Sequence, residues 1–369
     1  MRILRISHSA VVSSWRERER LLIGKGLEVR LISAERWNEG GAIVAFQADS
    51  DEFVSAISTL GKHPNLFIFN PIGLWKYFRM DRKWHIVDIH EEPCSLAAFE
   101  VWLIMKISRI RAPFLLYSAQ NILKLYPVPF RMIERLLLKR CSAVHTCNDG
   151  AAEIVKLKGL RGVAKTIPLG VNINSFSALH RSAPVSPFKV GFVGRLERHK
   201  GVHVLIEAVA PDNRLHLEIV GAGPEEDNLR KQVERANIGA RVKFLGYHSN
   251  ADLPNIYRRW DVVVVPSLPS RRWLEQFCRV AVEAMASGVP VVASDSGALP
   301  EVIGSAGLLV PPGDPIALRS ALLELLEQPG LWQELREAGL QRSHAYSWEA
   351  VADKYHELYQ EVAAGSHVD

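Results

Sequence analysis

The sequence predicts an α/β protein of two Rossmann-like domains, each built on a mainly parallel sheet. Three observations carry that prediction. Short apolar, β-branched runs alternate with helical segments along the chain, the pattern of parallel strands joined by crossover helices. A length of 369 residues is enough for two separate cores. Residues 176–187, rich in Ser, Ala and Pro, read as a linker between domains at 1–175 and 188–348.

Composition narrows the class. Hydrophobic residues at 48% and charged residues at 23% are ordinary for a globular chain. No apolar run reaches the ~18 residues of a membrane span, and Arg5 makes the start a first strand rather than a signal core. Cys94, Cys141, Cys147 and Cys278 have neither zinc-ligand nor disulfide spacing, so a reducing cytoplasm is expected. Residues 1–182 hold 26 Lys and Arg against 16 Asp and Glu; the remainder holds 19 against 24. By charge alone the basic half fits nucleic acid, an anionic membrane surface, a lipid diphosphate or simply scattered solubilising charge.

In the first half, strands are expected at 2–7, 28–33, 66–70, 85–89, 114–118 and 143–146. Trp15, Arg16 and Arg18 follow the first strand, either as ligand-facing groups or as a charged helix start. V-D-I-H-E-E-P (87–93) lies at the carboxyl end of a strand, where open α/β sheets bind ligands. There His90 offers a titratable imidazole, while Glu91 and Glu92 offer carboxylates or helix caps. One His and two adjacent Glu cannot converge on an ion, so no metal is expected. Residues 96–114 and 131–140 are apolar and then basic, fitting either a membrane interface or buried helices with basic ends. Gln120 sits at the end of another strand.

The second half opens on a strand at 188–193 that runs into G-R-L-E-R-H-K-G. Gly194 permits close backbone approach, and Arg195 and Lys200 bring two cations to one strand-to-helix turn, in outline a diphosphate clamp. Val202, Leu205, Ile206 and Val209 then mark one helical face. Pro224 is expected near N1 of the next helix, with Glu225, Glu226 and Asp227 in its first turn. The strand at 242–246 ends at Tyr247 and His248. After the strand at 261–265 come a loop at 267–276 and a helix over 278–287, closed by Gly288 and stopped by Pro290. Arg279, Glu283 and Ser287 form the one polar stripe of that helix. Glu283 therefore points at a partner that nothing local supplies, the alternative being a pair with Arg279 on the same helix. Glu275, Glu283 and the N–H groups of Gln276, Phe277 and Cys278 between them suit a polyhydroxylated anionic ligand. Asp314 reads as a helix cap.

Glu275-x-Phe277 followed by E-A-M-A-S-G-V-P (283–290) resembles the two-glutamate signature of family-4 glycosyltransferases, the glycosyl transferases of group 1. The resemblance implies a GT-B fold, two Rossmann-like domains facing across a cleft, with a last helix (349–365) crossing back to the first domain. It implies a retaining, metal-independent hexosyl transfer from a nucleotide diphospho-sugar to a hydroxyl acceptor. Glu275 would contact the donor sugar and Glu283 the ribose, with Arg195 and Lys200 on the diphosphate. Gly194, Gln276, Phe277, Cys278, Tyr247 and His248 would complete the donor side. His90 would act near the reacting centre, with Trp15, Arg16, Glu91 and Gln120 on the acceptor side. Two departures stand out: Ser9, Ala10 and Val11 replace the family's Gly-Gly loop, and Gln120 takes a position that many relatives give to His. The expected partners are a nucleotide-sugar donor, a glycan or lipid-linked acceptor of the cell envelope or an exopolysaccharide and, peripherally, an anionic membrane, with no nucleic acid. The expected location is the cytoplasm, on the inner face of the membrane. An epimerase or hydrolase on the same scaffold and a non-catalytic nucleotide-sugar binder remain as alternatives. A nicotinamide dehydrogenase does not fit, because no G-x-G-x-x-G follows the first strand.

Overall fold

The structure is a computed structural model and describes residues 1–39, 42–48, 50–80, 83–176 and 182–365; part of the expected linker, 177–181, lies outside them. The chain forms two units, Met1–Pro168 with Trp348–Asp369, and Leu169–Ser347.

The first unit is built on seven parallel strands, ordered Val163–Thr166, Ala143–Thr146, Phe114–Ser118, Ile86–Ile89, Arg2–Ser7, Glu28–Ala34, Val54–Ile57. Alternation along the strands sends Leu4 and Ile6 to one face and Ile3 to the other, so both faces need cover. Helices Pro71–Met80, Leu96–Ile107 and Phe130–Leu138 bury Leu74, Val101 and Leu137 against the first face. Glu17–Gly24 and Trp348–Gly365 bury Leu22, Val351 and Leu358 against the second.

The strand expected at 66–70 is not part of this sheet. Only Ile68–Phe69 is extended, paired antiparallel with Thr59–Leu60, and Val54–Ile57 takes the sheet edge instead. The reason is local. Asn70 accepts the Ile72 and Gly73 amides at 3.1 and 3.2 Å, which starts the helix at Pro71 and ends the strand.

The second unit has six parallel strands, ordered Val242–Gly246, Leu215–Val220, Phe188–Val193, Val262–Val265, Val291–Ser294, Gly307–Val310. The all-valine strand 262–265 is buried along its length, as its composition requires. Helix Arg279–Ala286 lies between Cys278 and Ser287 as caps; Gly288, at φ 68°, turns the chain so that the Val289 amide reaches the Ala284 carbonyl at 2.9 Å. Asp314 caps helix Pro315–Glu327 through the Ile316 and Ala317 amides, both at 2.9 Å. Pro224 precedes helix Glu226–Arg235 by two residues and so stands outside N1.

Strand order reverses direction between Phe188–Val193 and Val262–Val265. At such a switch point the loops leaving the carboxyl ends part and open a crevice. The loops that leave there are 194–201 and 266–278. Among the described residues no helix is long and apolar enough to cross a membrane.

Candidate functional site

The two switch-point loops are locked together by backbone. Gly201 has φ 72°, and a Cβ there would stand 1.8 Å from the Pro266 carbonyl oxygen. Only glycine allows that approach and that conformation together. The Leu268 amide donates to the His199 carbonyl at 2.7 Å. Gly221, on the next strand's turn, presents a bare Cα to the Gly194 carbonyl, which a Cβ would meet at 1.9 Å.

This framework sets Lys200 against Glu275. The Lys200 ammonium and the Ser267 hydroxyl both donate to Glu275 Oε2 at 2.9 Å, and the Glu275 side chain is almost fully buried. Trp273 closes the arrangement. Its ring lies 4.7 Å from the Lys200 ammonium and 4.1 Å from the His199 ring, and its amide is held by Ser270 Oγ at 2.9 Å. Arg195, whose side chain is 57% exposed, pairs with Glu197 at 2.7 Å rather than with the Lys200 cluster. Each of the two predicted cations thus rests on a carboxylate, a partner that an incoming phosphate can replace.

Glu283 is half-buried on helix Arg279–Ala286. Its carboxylate accepts from the Tyr257 hydroxyl at 2.8 Å. Burial holds its pKa above the usual glutamate range, with the Tyr257 bond and the Arg279 charge pulling the other way. The partner that the sequence left open is therefore a tyrosine 26 residues upstream. Phe277 packs edge-on to Tyr346 at 5.6 Å, Cys278 is buried with its thiol pushed up to about 12, and Gln276 faces solvent. Tyr247 is 80% exposed and His248 half-buried, at the end of an outer strand. Nothing in the sequence singled out Ser267, Trp273 or Tyr257. The first two lie inside the loop expected at 267–276.

In the first unit the strand-end loops gather a second cluster. His90 stacks on Tyr117 with ring centroids 4.0 Å apart, and its Nδ1 is buried without a hydrogen-bond partner among the described residues. Burial, then the Arg5 guanidinium, keeps its imidazole well below the usual range, so the ring is neutral at neutral pH. Glu91 and Glu92 turn inward. Glu91 accepts the His8 amide at 2.9 Å and the His8 ring, while Glu92 accepts the Ser118 hydroxyl and the Ala119 amide at 2.8 Å. They tie neighbouring strand ends together. Gln120 is spent on the Ile122 carbonyl at 3.1 Å.

Of the two readings of Arg16 and Arg18, the helix start holds, since Arg16 is the N-cap of helix Glu17–Gly24 and Arg18 lies in its first turn, but both side chains are buried. Arg16 donates to the Ala10 carbonyl at 2.9 Å and lies over the Phe46 ring. Arg18 reaches Glu19 at 2.7 Å and covers the Tyr355 ring at 3.9 Å. A buried guanidinium has to be met by such groups, which leaves neither side chain free for a ligand. Trp15 is half-buried beside them.

The chain also brings together a trio that the sequence did not suggest. Asp88, His90 and His145 place ligand-type atoms within 4.8 Å of one another. Asp88 already accepts from His145 at 2.9 Å and from the Tyr359 hydroxyl at 2.6 Å, His145 Nδ1 meets the Tyr355 hydroxyl at 3.0 Å, and Arg18 stands 3.6 Å from Asp88. That is a buried charge network around a guanidinium, a setting that repels a cation.

Residues 180–342 match the model of the glycosyl transferases of group 1. Over 198 residues the chain is 36% identical to the D-inositol 3-phosphate glycosyltransferase of Corynebacterium glutamicum (strain R), covering 50% of this chain and 46% of that one. Over 223 residues it is 37% identical to the phosphatidyl-myo-inositol mannosyltransferase of Mycobacterium leprae (strain TN), covering 58% of each. The chain spans about half the length of the curated relatives it matches. Among solved structures it resembles sucrose-phosphate synthase from Thermosynechococcus elongatus, with a TM-score of 0.74, 22% identity and 99% and 100% of the two chains covered. It also resembles Anabaena HepE in complex with UDP, with a TM-score of 0.75, 22% identity and 98% and 100% covered. At these identities the likeness is one of fold, and the expected GT-B class holds.

Proposed function

We propose, from the match of residues 180–342 to the glycosyl transferases of group 1, that this protein moves a sugar, with retention, from a nucleotide diphospho-sugar to a hydroxyl acceptor. The observation that carries the reading is the Lys200–Glu275–Ser267 constellation at the switch point of the second unit. In this reading the donor diphosphate takes Lys200 from Glu275 and Arg195 from Glu197. The two cations neutralise the charge that develops as the glycosidic C–O bond breaks, so no metal is called for. Glu275, released from Lys200, accepts sugar hydroxyls, helped by the N–H groups at 276–278, and Glu283 accepts from the ribose. Attack comes from the face that the diphosphate leaves. The acceptor oxygen bonds to the anomeric carbon while its proton passes to the departing phosphate oxygen. No covalent nucleophile is assigned.

The acceptor is assigned to the first unit, where neutral His90 offers hydrogen bonding rather than charge. A lipid-linked glycan intermediate of the cell envelope or an exopolysaccharide fits the basic first half, with the protein acting from the cytoplasm at the membrane surface. The mannosyltransferase it resembles is named for a phosphatidyl-linked inositol. Steady-state transfer assays on Glu275→Ala and Glu275→Gln test the reading. Both are expected to lose at least about 100-fold in turnover, a loss of the size seen when one transition-state contact is removed, with the fold retained. Near-full activity in either variant would overturn the role given to Glu275.

A further inference from the structure

We infer that the outer surface of helices Leu96–Ile107 and Phe130–Leu138, with the segment between 121 and 129, docks on an anionic phospholipid membrane. The two helices lie side by side over one face of the first sheet. Their outward side combines two features that a purely solvated surface does not.

The first is protruding apolar side chains. Ile107 is 63% exposed, Leu125 80% and Met132 64%, with Leu123 and Val128 exposed beside them. The second is charge of one sign. From 83 to 148 every acidic side chain is turned inward and engaged: Asp88 with His145, Glu91 with His8, Glu92 with Ser118, Glu100 with the Phe69 amide, and Glu134 with Lys158 at 2.6 Å. Lys106, Arg109 and Arg135 are left exposed, with Lys124 and Arg131 half-buried beside them and no exposed carboxylate among the five. Cations beside apolar tips are complementary to anionic headgroups above acyl chains. A nucleic acid would use the cations and leave the apolar tips in water. Exposed Ile72 and Met80 on helix Pro71–Met80, which packs on the same face, extend the patch. This deepens the acceptor reading above by giving a lipid-borne substrate a surface to arrive on.

Cosedimentation of the full chain with vesicles of phosphatidylglycerol and phosphatidylcholine in equal parts, against phosphatidylcholine alone, tests it without donor or acceptor, so that it can fail separately from the transferase reading. The wild-type chain is expected to bind the anionic vesicles and to be released by salt. Lys106→Gln with Arg135→Gln should weaken binding about fivefold for each charge removed. Leu125→Ser with Met132→Ser should weaken it roughly tenfold or more. All four sites are exposed, so the melting temperature should stay close to wild type; if a pair melts early, Leu125→Ser alone carries the test. No binding to anionic vesicles, or binding unchanged in both pairs, overturns the inference. So does a dimer that the apolar pair dissociates in the absence of vesicle binding, or duplex DNA binding that the apolar pair leaves intact.

Discussion

Glu283 is half-buried, and the Tyr257 hydroxyl meets its carboxylate at 2.8 Å. Tyr257 is fully buried, its ring edge-on to Phe176 at 5.7 Å and to Trp260 at 5.6 Å, so its hydroxyl is aimed by packing. Tyr257→Phe removes the donor and leaves the packing. The cost expected is about 1–3 kcal/mol, that of a buried polar group left unmet, read as a lower melting temperature. Donor affinity should fall with it, because Glu283 would no longer be held for the ribose. An unchanged melt would mean that water or Arg279 replaces the hydroxyl. Residues of this kind were hidden from the sequence. The need of Glu283 for a partner could be derived from its place on an apolar helix. The partner could not, because Tyr257 and Glu283 meet only through the packing of two helices 26 residues apart. Arg16 and Arg18 mislead for the same reason: a run of charges beside a strand reads as surface until the carbonyls and carboxylates that absorb it are seen.

At the scale of elements, patterns of period 2 and 3.6 placed most strands and helices, and the caps Gly288 and Asp314 fall where their chemistry puts them. Segment 66–70 is the exception. Its aromatic alternation is real, since Phe67 and Phe69 are fully buried, yet the cap at Asn70 competes with extension and wins. The same region supplies a pH-dependent link. Glu100, on helix Leu96–Ile107, accepts the Phe69 amide at 2.8 Å, and burial raises its pKa to about 7. An acid whose folded pKa is raised stays protonated in the fold while the unfolded chain ionises, so the stability it supports falls as pH climbs from the usual glutamate range towards about 7. Glu100→Gln keeps the acceptor and loses the titration. Melting curves across that range should show the wild type losing ground to the variant as pH rises. Parallel profiles would contradict the assignment.

At the scale of the molecule, two units each carry their candidate groups at the carboxyl ends of parallel strands, beside the point where strand order reverses. That much follows from alternating strands and helices. In the second unit the motif residues Lys200 and Glu275, 75 positions apart, meet at 2.9 Å. Arg195 does not join them, because Glu197, two residues on, holds its guanidinium at 2.7 Å. The central claim is that these groups hold a nucleotide diphosphate. Thermal shift of the full chain with UDP, GDP and ADP and their sugar conjugates, with and without Mg²⁺, addresses it most directly. A ligand at 100 times its dissociation constant adds about 2.7 kcal/mol of stability. The account predicts that one nucleotide raises the melting temperature by a few degrees without metal, and that Arg195→Ala diminishes the shift. No shift from any of them, or one that appears only with Mg²⁺, would contradict it.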